Sequence, residues 1–315
     1  KGDKLVIDSE VKWYPHATSF GKVNVASGST YSSHLDVAYL GDGLAVIVWS
    51  DTQPTAGTLK ARLITIEGSA ISMSAVFILS TTVLVKEYGQ GSRLRVSRIG
   101  KSKKALLAFS DGSGYLTCIL TANDSESLEV SALTRIIPIG NGKQLGITTL
   151  DDERFLISGS YGERLVTISI AENSEVTAGN ILIIAGGQYS FNFLKEVLHR
   201  DGTDYAHYVR QYYSDNYYYA RVNYVKINGI TTSTSGYNDT MIGFGSQGWS
   251  HDVLPLSITD SLCHVYHYYA SNPSQYNIKA CTLEWYNNQY WRFKEVAQRF
   301  TSLALSIYDW SYGNS

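Results

Sequence analysis

The chain has 315 residues, 44% of them hydrophobic, 17% charged and 12% aromatic, with a formal net charge of −2. A charge so near balance, with no basic stripe, gives no electrostatic footing for nucleic acid. Apolar runs such as LAVIVW (44–49) fall far short of the roughly 18 residues of a membrane span.

No signal-peptide pattern opens the sequence, and Lys1 rather than Met stands first, so a processed form or an excised fragment is expected. The N-terminal segment offers three short strand candidates, KLVID, VKWY and GKVNVA, within residues 4–26. From Leu35 onward one order of events recurs. A short strand leads through a polar turn to an apolar strand, then a variable loop, a third strand, a small turn and a fourth strand.

The second strands read LAVIVWSD (44–51), ALLAFSD (105–111), FLISGSY (155–161), AHYVRQ (206–211) and LCHVYHY (262–268). The third strands read LKARLITIEG, YLTCILTAND, RLVTISIAEN, YYARVNYVKING and YNIKACTLEWYNN. First strands begin near Leu35, Leu94, Leu145, Phe193 and Asp252, a period of about 50 to 60 residues. A last first-strand candidate, SLALSIY (302–308), has no partners after it.

Four strands per period, with second strands apolar on both faces, predict an all-β chain built as a β-propeller of four-stranded antiparallel blades. The expected repeats run over 34–80, 93–137, 144–184, 192–237 and 251–297 of a single domain, 1–315. Closure of a sixth blade is expected from 302–308 together with 4–26, which would leave no open sheet edge. Five blades with an N-terminal extension are the alternative, and two separate β domains a third arrangement.

The lines GTLKARLITIEGSAISM and YYARVNYVKINGITTSTSG, each following a strand like LAVIVWSD, resemble tandem repeats of phage tail-fibre and bacterial surface proteins over residues 34–297. The third repeat departs from the pattern with Gly159 at an expected aromatic position, and the fourth with Val209. The resemblance implies a propeller and a role in attachment to a cell surface. It assigns no residue.

In such a blade the loop between strands two and three emerges on the same side as the link to the next blade. The opposite side carries GDG (41–43), GKSKK (100–104), DDER (151–154) and RDGTD (200–204), which read as solvated hairpin turns. The loop-and-link side is aromatic, with DTQPTAG, YYSDNYY and YASNPSQY as its loops. Aromatic residues offer wide, rigid contact and a hydrogen-bonding tip, which suits recognition. The candidate ligand-binding residues are Tyr212, Tyr213, Asp215, Asn216, Tyr217, Tyr218, Trp249, Tyr269, Asn272 and Tyr276, taken as an aromatic shelf with polar partners. Packing between blades is the competing explanation for the rings.

Catalytic motifs are sparse. GFGSQG (243–248) lacks the helix that a dinucleotide site needs, and neither G-x-S-x-G nor H-E-x-x-H occurs. Two pairs, His34 with Asp36 and His251 with Asp252, open first strands where blades line an axis. Asp36 and Asp252 would be the two carboxylates of a glycoside hydrolase or lyase, if the chain is one. His264 and His267, three apart in a strand, point to opposite faces and suit no shared metal.

Cys118, Cys263 and Cys281 form neither a disulfide framework nor a metal-ligand spacing, and buried free thiols are expected. No cofactor or metal is expected. The favoured function is a non-enzymatic adhesin or receptor-binding module for a surface polysaccharide or glycoprotein, with the hydrolase or lyase as alternative. That places the protein outside the cell or on a virion surface, with no membrane insertion and no nucleic-acid partner, as part of a larger and oligomeric assembly.

Overall fold

The computed structural model describes residues 32–296, apart from 54–55, 69, 81–93, 112–113, 139–144, 160–163, 184–193, 201–202, 215–216, 235–240, 245–247, 256–260, 270–275 and 287–289. The proposed closing strands within 4–26 and at 302–308 therefore lie outside the described residues, as do most of the inter-blade links.

Among the described residues every regular element is a β-strand, and the strands form five antiparallel sheets in chain order. The first sheet is β1 (Ser32–Gly41), β2 (Leu44–Gln53), β3 (Ala56–Glu67) and β4 (Ala70–Met73), with β5 (Phe77–Ser80) also on β3. The second is β6 (Leu94–Arg98), β7 (Lys104–Ser110) and β8 (Tyr115–Ala122), with β9 (Leu128–Val130) and β10 (Thr134–Ile137) both on β8. The third is β11 (Gly146–Thr149), β12 (Arg154–Gly159), β13 (Arg164–Ile170) and β14 (Val176–Ile183).

The fourth is β15 (Leu194–Arg200), β16 (Thr203–Ser214), β17 (Tyr217–Asn228) and β18 (Thr231–Thr234), with β19 (Met241–Phe244) also on β17. The fifth is β20 (Gly248–Pro255), β21 (Ser261–Tyr269), β22 (Tyr276–Tyr286) and β23 (Tyr290–Val296). Successive first strands adjoin, β1 with β6, β6 with β11, β11 with β15 and β15 with β20. Sheets repeated in order, stacked face to face with their first strands innermost, are blades of a propeller.

The continuous apolar second strands follow from this stacking. Along β7, Ala105, Leu107 and Phe109 enter the layer shared with the first sheet, beside Val46, Val48, Leu59 and Leu63. The intervening Leu106 and Ala108 enter the layer shared with the third sheet, beside Phe155, Ile157, Val166 and Ile168. Both faces of one strand are buried, so alternation disappears and an unbroken run of apolar residues remains. Each fully buried Leu or Phe contributes about 1.5–3 kcal/mol by leaving water.

The departure at Gly159 also has a packing cause. A Cβ there would lie 2.6 Å from the ring of Tyr115, a fully buried side chain of the neighbouring sheet. The aromatic expected on the third blade is supplied across the interface by the second.

Fourth strands carry a device that the repeat pattern did not reveal. Ser74 interrupts the strand between β4 and β5. Its amide donates to Leu63 O (3.0 Å), and its hydroxyl, rather than its carbonyl, accepts from Leu63 N (3.0 Å) before donating to Ala75 O (2.8 Å). Ser131 repeats the arrangement between β9 and β10, with Ile119 as partner and Ala132 O as acceptor. The hydroxyl replaces a backbone acceptor, so the outer strand can bend without leaving the inner strand's amide unpaired.

The turns on the short side fit their sequence. Asp42 and Gly43, both at positive φ (51° and 71°), make the two-residue connection from β1 to β2, the backbone geometry that matches the twist of a hairpin.

Cys118 is free and buried, and burial pushes its thiol up to about 12. In the fifth sheet Cys263 pairs with Thr282 and Cys281 with His264, so the two cysteines are one step out of register rather than directly opposed. Thiol titration near pH 8 is expected to leave Cys118 unlabelled in the folded chain. Three groups should react after unfolding without reductant, and a single reactive group would show that a disulfide joins the other two.

Candidate functional site

The tyrosine-rich stretch, expected as two strands around a long loop, is almost entirely hairpin. β16 runs to Ser214 and β17 begins at Tyr217, leaving only Asp215 and Asn216 between them, both outside the described residues. Each strand has 12 residues, against 7 in β7 and 8 in β8. The extra length, about four residues, adds ~13 Å of ladder.

The register divides the expected shelf. Tyr213 pairs with Tyr218, which pairs in turn with Phe244 of β19, giving an aromatic row across three strands. The preceding row is Tyr212, Tyr219 and Gly243, and the following one is Ser214 with Tyr217. Consecutive rows belong to opposite faces of a pleated sheet. Tyr213 and Tyr218 therefore share one face, and Tyr212, Tyr217 and Tyr219 the other. Tyr219 was not among the expected residues, although its register partner Tyr212 was.

Trp249 has a distinct position. The β20–β21 ladder steps from Gly248–Tyr268 to Ser250–His267, which leaves Trp249 as the extra residue of a bulge at the head of β20. Bulges re-aim a residue out of the regular alternation and are frequent beside functional sites. Tyr269 pairs with Tyr276 at the end of the β21–β22 hairpin, and Asn272 lies in the undescribed turn between them. β20 packs against β15 and β16, so the bulge and the long hairpin belong to adjoining blades.

The axial candidates are placed differently from one another. Asp36 lies on β1, where its Oδ2 accepts from the amide of Val96 on β6 (2.9 Å) and its Oδ1 from the amide of Val37 (3.1 Å). The carboxylate thus links two first strands, as do Ser97 with Thr149 (3.1 Å) and the Arg95 Nε donor to Leu145 O (3.3 Å). His34 pairs with Ser50 on β2, while His251 and Asp252 pair with Tyr266 and Val265 on β21. Among the described residues β1 packs on β6, and β20 on β15 and β16. His264 and His267 occupy rows of odd separation, opposite Cys281 and Ile278. Among the described residues no three His, Cys, Asp or Glu side chains gather as a metal site would require.

On the hairpin side of the second sheet Arg135 Nη2 donates to Asp111 Oδ2 at 2.6 Å, and this bond raises the guanidinium pKa. Asp111 follows directly on the end of β7 at Ser110, and the Ser-Asp at 110–111, also present at 50–51 within β2, was a readable signal for a charged position there.

No protein-family model matches the chain, and no match is found among curated proteins. Solved structures do align with it. A protein from Lactobacillus plantarum is 8% identical at a TM-score of 0.48, over 85% of this chain and 70% of that one. The periplasmic gluconolactonase of Pseudomonas aeruginosa is 11% identical at 0.45, over 84% and 71%. A GH43 endo-arabinanase from Bacillus licheniformis is 13% identical at 0.39, over 84% and 98%. Likeness at this level carries no activity over to the chain, and none of these three names is that of a phage or adhesin protein.

Proposed function

We propose that the chain is a non-enzymatic carbohydrate-binding module, an adhesin or receptor-binding domain for a cell-surface polysaccharide or glycoprotein. The observation that carries this reading is the Tyr213–Tyr218–Phe244 row at the end of the longest hairpin, with the bulged Trp249 on the adjoining blade. Sugars present apolar C–H faces that stack on aromatic rings, and the phenol, Asn and Asp groups of the same turns suit their hydroxyls. Contacts of this kind are individually weak, so attachment would draw on several copies held together. That places the module outside the cell, on a virion tail or a cell surface. The reading takes residues 1–315 as one six-bladed domain whose last blade is shared by 302–308 and 4–26.

Replacing Tyr213, Tyr218 and Trp249 together by alanine is expected to leave unfolding nearly unchanged and to abolish retention on a glycan array. Unfolding of the triple variant would assign the rings to the core, and retained binding would move the site elsewhere. The competing reading is a glycoside hydrolase or lyase using Asp36, Asp252, His34 and His251. It needs two free carboxylates, and that of Asp36 already accepts two amides. Release of reducing or unsaturated ends from an array hit, lost on Asp252→Asn, would favour that reading instead.

A further inference from the structure

We infer that the tyrosine hairpin carries a second site on its other face, for an acidic sugar whose carboxylate is held between Arg210 and Arg221. The site presupposes the carbohydrate-binding function proposed above and names the chemistry of its ligand. It follows from register. Arg210 of β16 stands directly opposite Arg221 of β17, in a ladder that runs unbroken from Asp204–Ile227 to Ser214–Tyr217. Directly opposed positions set their β-carbons about 4.5–5.5 Å apart, and like charges placed there destabilise a sheet. A carboxylate reverses the sign, because each guanidinium is a planar fork of donors that matches its two oxygens.

The described strands place no acid at this row. β17 and β19 contain no Asp or Glu, and the position opposite Arg221 on β19 is Met241. Asp204 lies at the far end of β16 and is taken by Arg154 (2.6 Å). Glu196 of β15 falls between the Leu194–Tyr208 and Val197–Ala206 pairs, on the turn side of the arginines. Across the seam, β11, β12, β13 and β14 contain no Asp or Glu.

Two-residue steps along β17 put Arg221 on the same face as Val225 and Ile227, which are buried against Leu156 and Leu165 of the third sheet. The two sheets meet chiefly where β11 and β12 adjoin β15 and where β13 and β14 adjoin β18. β15 reaches only to Tyr208 and β18 only to Val225, so the arginine row lies past both, at the mouth of the seam on the loop side. On the same face Tyr212–Tyr219 is the next row outward and Tyr208–Asn223 the next row inward. Phenols flanking a charged row suit a sugar, whose ring stacks on an aromatic face while its carboxylate meets the arginines. The Tyr213–Tyr218–Phe244 row belongs to the opposite face, so the two sites are separable by mutation.

The full chain is tested on a glycan array carrying uronates, sialates, sulfated glycans and neutral glycans. Retention is expected on the uronates and sialates, and it should weaken as salt is raised. Arg210→Gln and Arg221→Gln should each reduce it about tenfold or more, since each removes a charge-assisted contact. Arg210→Lys, the variant to use should glutamine not fold, keeps the charge without the fork and should also bind more weakly. Without ligand, the glutamine variants should melt no lower than the parent, because each relieves a like-charge pair. A lower melting temperature would mean that a carboxylate of the chain already neutralises the row, and would overturn the inference. So would retention confined to sulfated glycans, or acidic retention that the arginine variants leave unchanged. Neutral glycans held through Tyr213, Tyr218 and Trp249, with no preference for acidic ones, would sink this site and leave the first reading standing. Acidic glycans lost with the arginines but kept by the triple alanine variant would do the reverse. No retention of any glycan overturns both.

Discussion

Arg154→Met is expected to destabilise the protein by about 2–4 kcal/mol, because it removes the common partner of two acids and a backbone carbonyl. Arg154 Nη2 donates to Asp204 Oδ2 (2.6 Å), Nη1 to Gly229 O (2.9 Å) and Nε to Asp151 Oδ2 (2.7 Å). Asp204 and Gly229 belong to the fourth sheet and Arg154 to the third, so one guanidinium fastens two blades. The Asp204 side chain is only 9% exposed, and stranding a buried carboxylate is what makes removal of one partner expensive.

Because Arg154 itself keeps 22% of its side chain exposed, the lower half of the usual range applies. The double variant Arg154→Met with Asp204→Leu should recover most of the loss, since it strands no charge. Urea midpoints for the three proteins decide this, and an unchanged midpoint for the single variant would show that the ion pair contributes nothing net.

The same site has a pH signature. Burial pushes Asp151 up, yet the amide of Glu153 and the side chain and amide of Arg154 outweigh it, so its carboxyl sits below the ordinary value of 3.8. A depressed folded pKa means that the acid's stabilisation is complete above the ordinary value and disappears as pH falls through the depressed one. Stability should therefore decline on acidification below about pH 4, and Arg154→Met should flatten part of that decline.

Gly179→Ala is expected to be nearly as damaging, at about 3 kcal/mol, although alanine suits a strand better than glycine does. A Cβ at this position of β14 would run into the carbonyl oxygen of Ile230 and lie 2.8 Å from its carbonyl carbon. Both obstacles are backbone of the β17–β18 turn and cannot rotate away, so the fourth sheet must retreat from the third. Three polar contacts stand beside the clash. Asn180 donates to Thr232 O (2.8 Å) and accepts from Thr232 N (2.9 Å), and Thr167 shares a buried 2.7 Å bond with the Thr232 hydroxyl. Loss of amide protection at Thr232 in hydrogen exchange, together with the fall in melting temperature, is the expected result. Full protection would mean that the turn accommodates the methyl group in place.

The blade period was legible because of one physical circumstance. Strands such as β7 are buried on both faces, so Ala105 to Phe109 appear as a run that no surface hairpin would carry. What escaped reading depended on partners far along the chain. Tyr115 filling the space at Gly159, and Asp36 accepting from Val96 sixty residues away, are contacts between blades that no local pattern encodes. The tyrosine hairpin was misjudged for a local reason. Asp215-Asn216 lacks the glycine that marks tight two-residue turns, and phenols interleaved with polar residues resemble a loop. Its residues were named as candidates but its register was not read, so a single shelf became two faces.

The serines that split the outer strands bear on how the molecule behaves in company. In a stack of blades the fourth strand is the rim, the one place where unpaired amides and carbonyls could template another chain. At Ser74 and Ser131 that rim is cut into pieces of three or four residues, bent at the cut, with the inner strand's amide closed off by a hydroxyl. No straight ladder remains there for a neighbouring molecule to extend. Copies of the chain brought close together can then stand side by side without their rims zipping together into fibres.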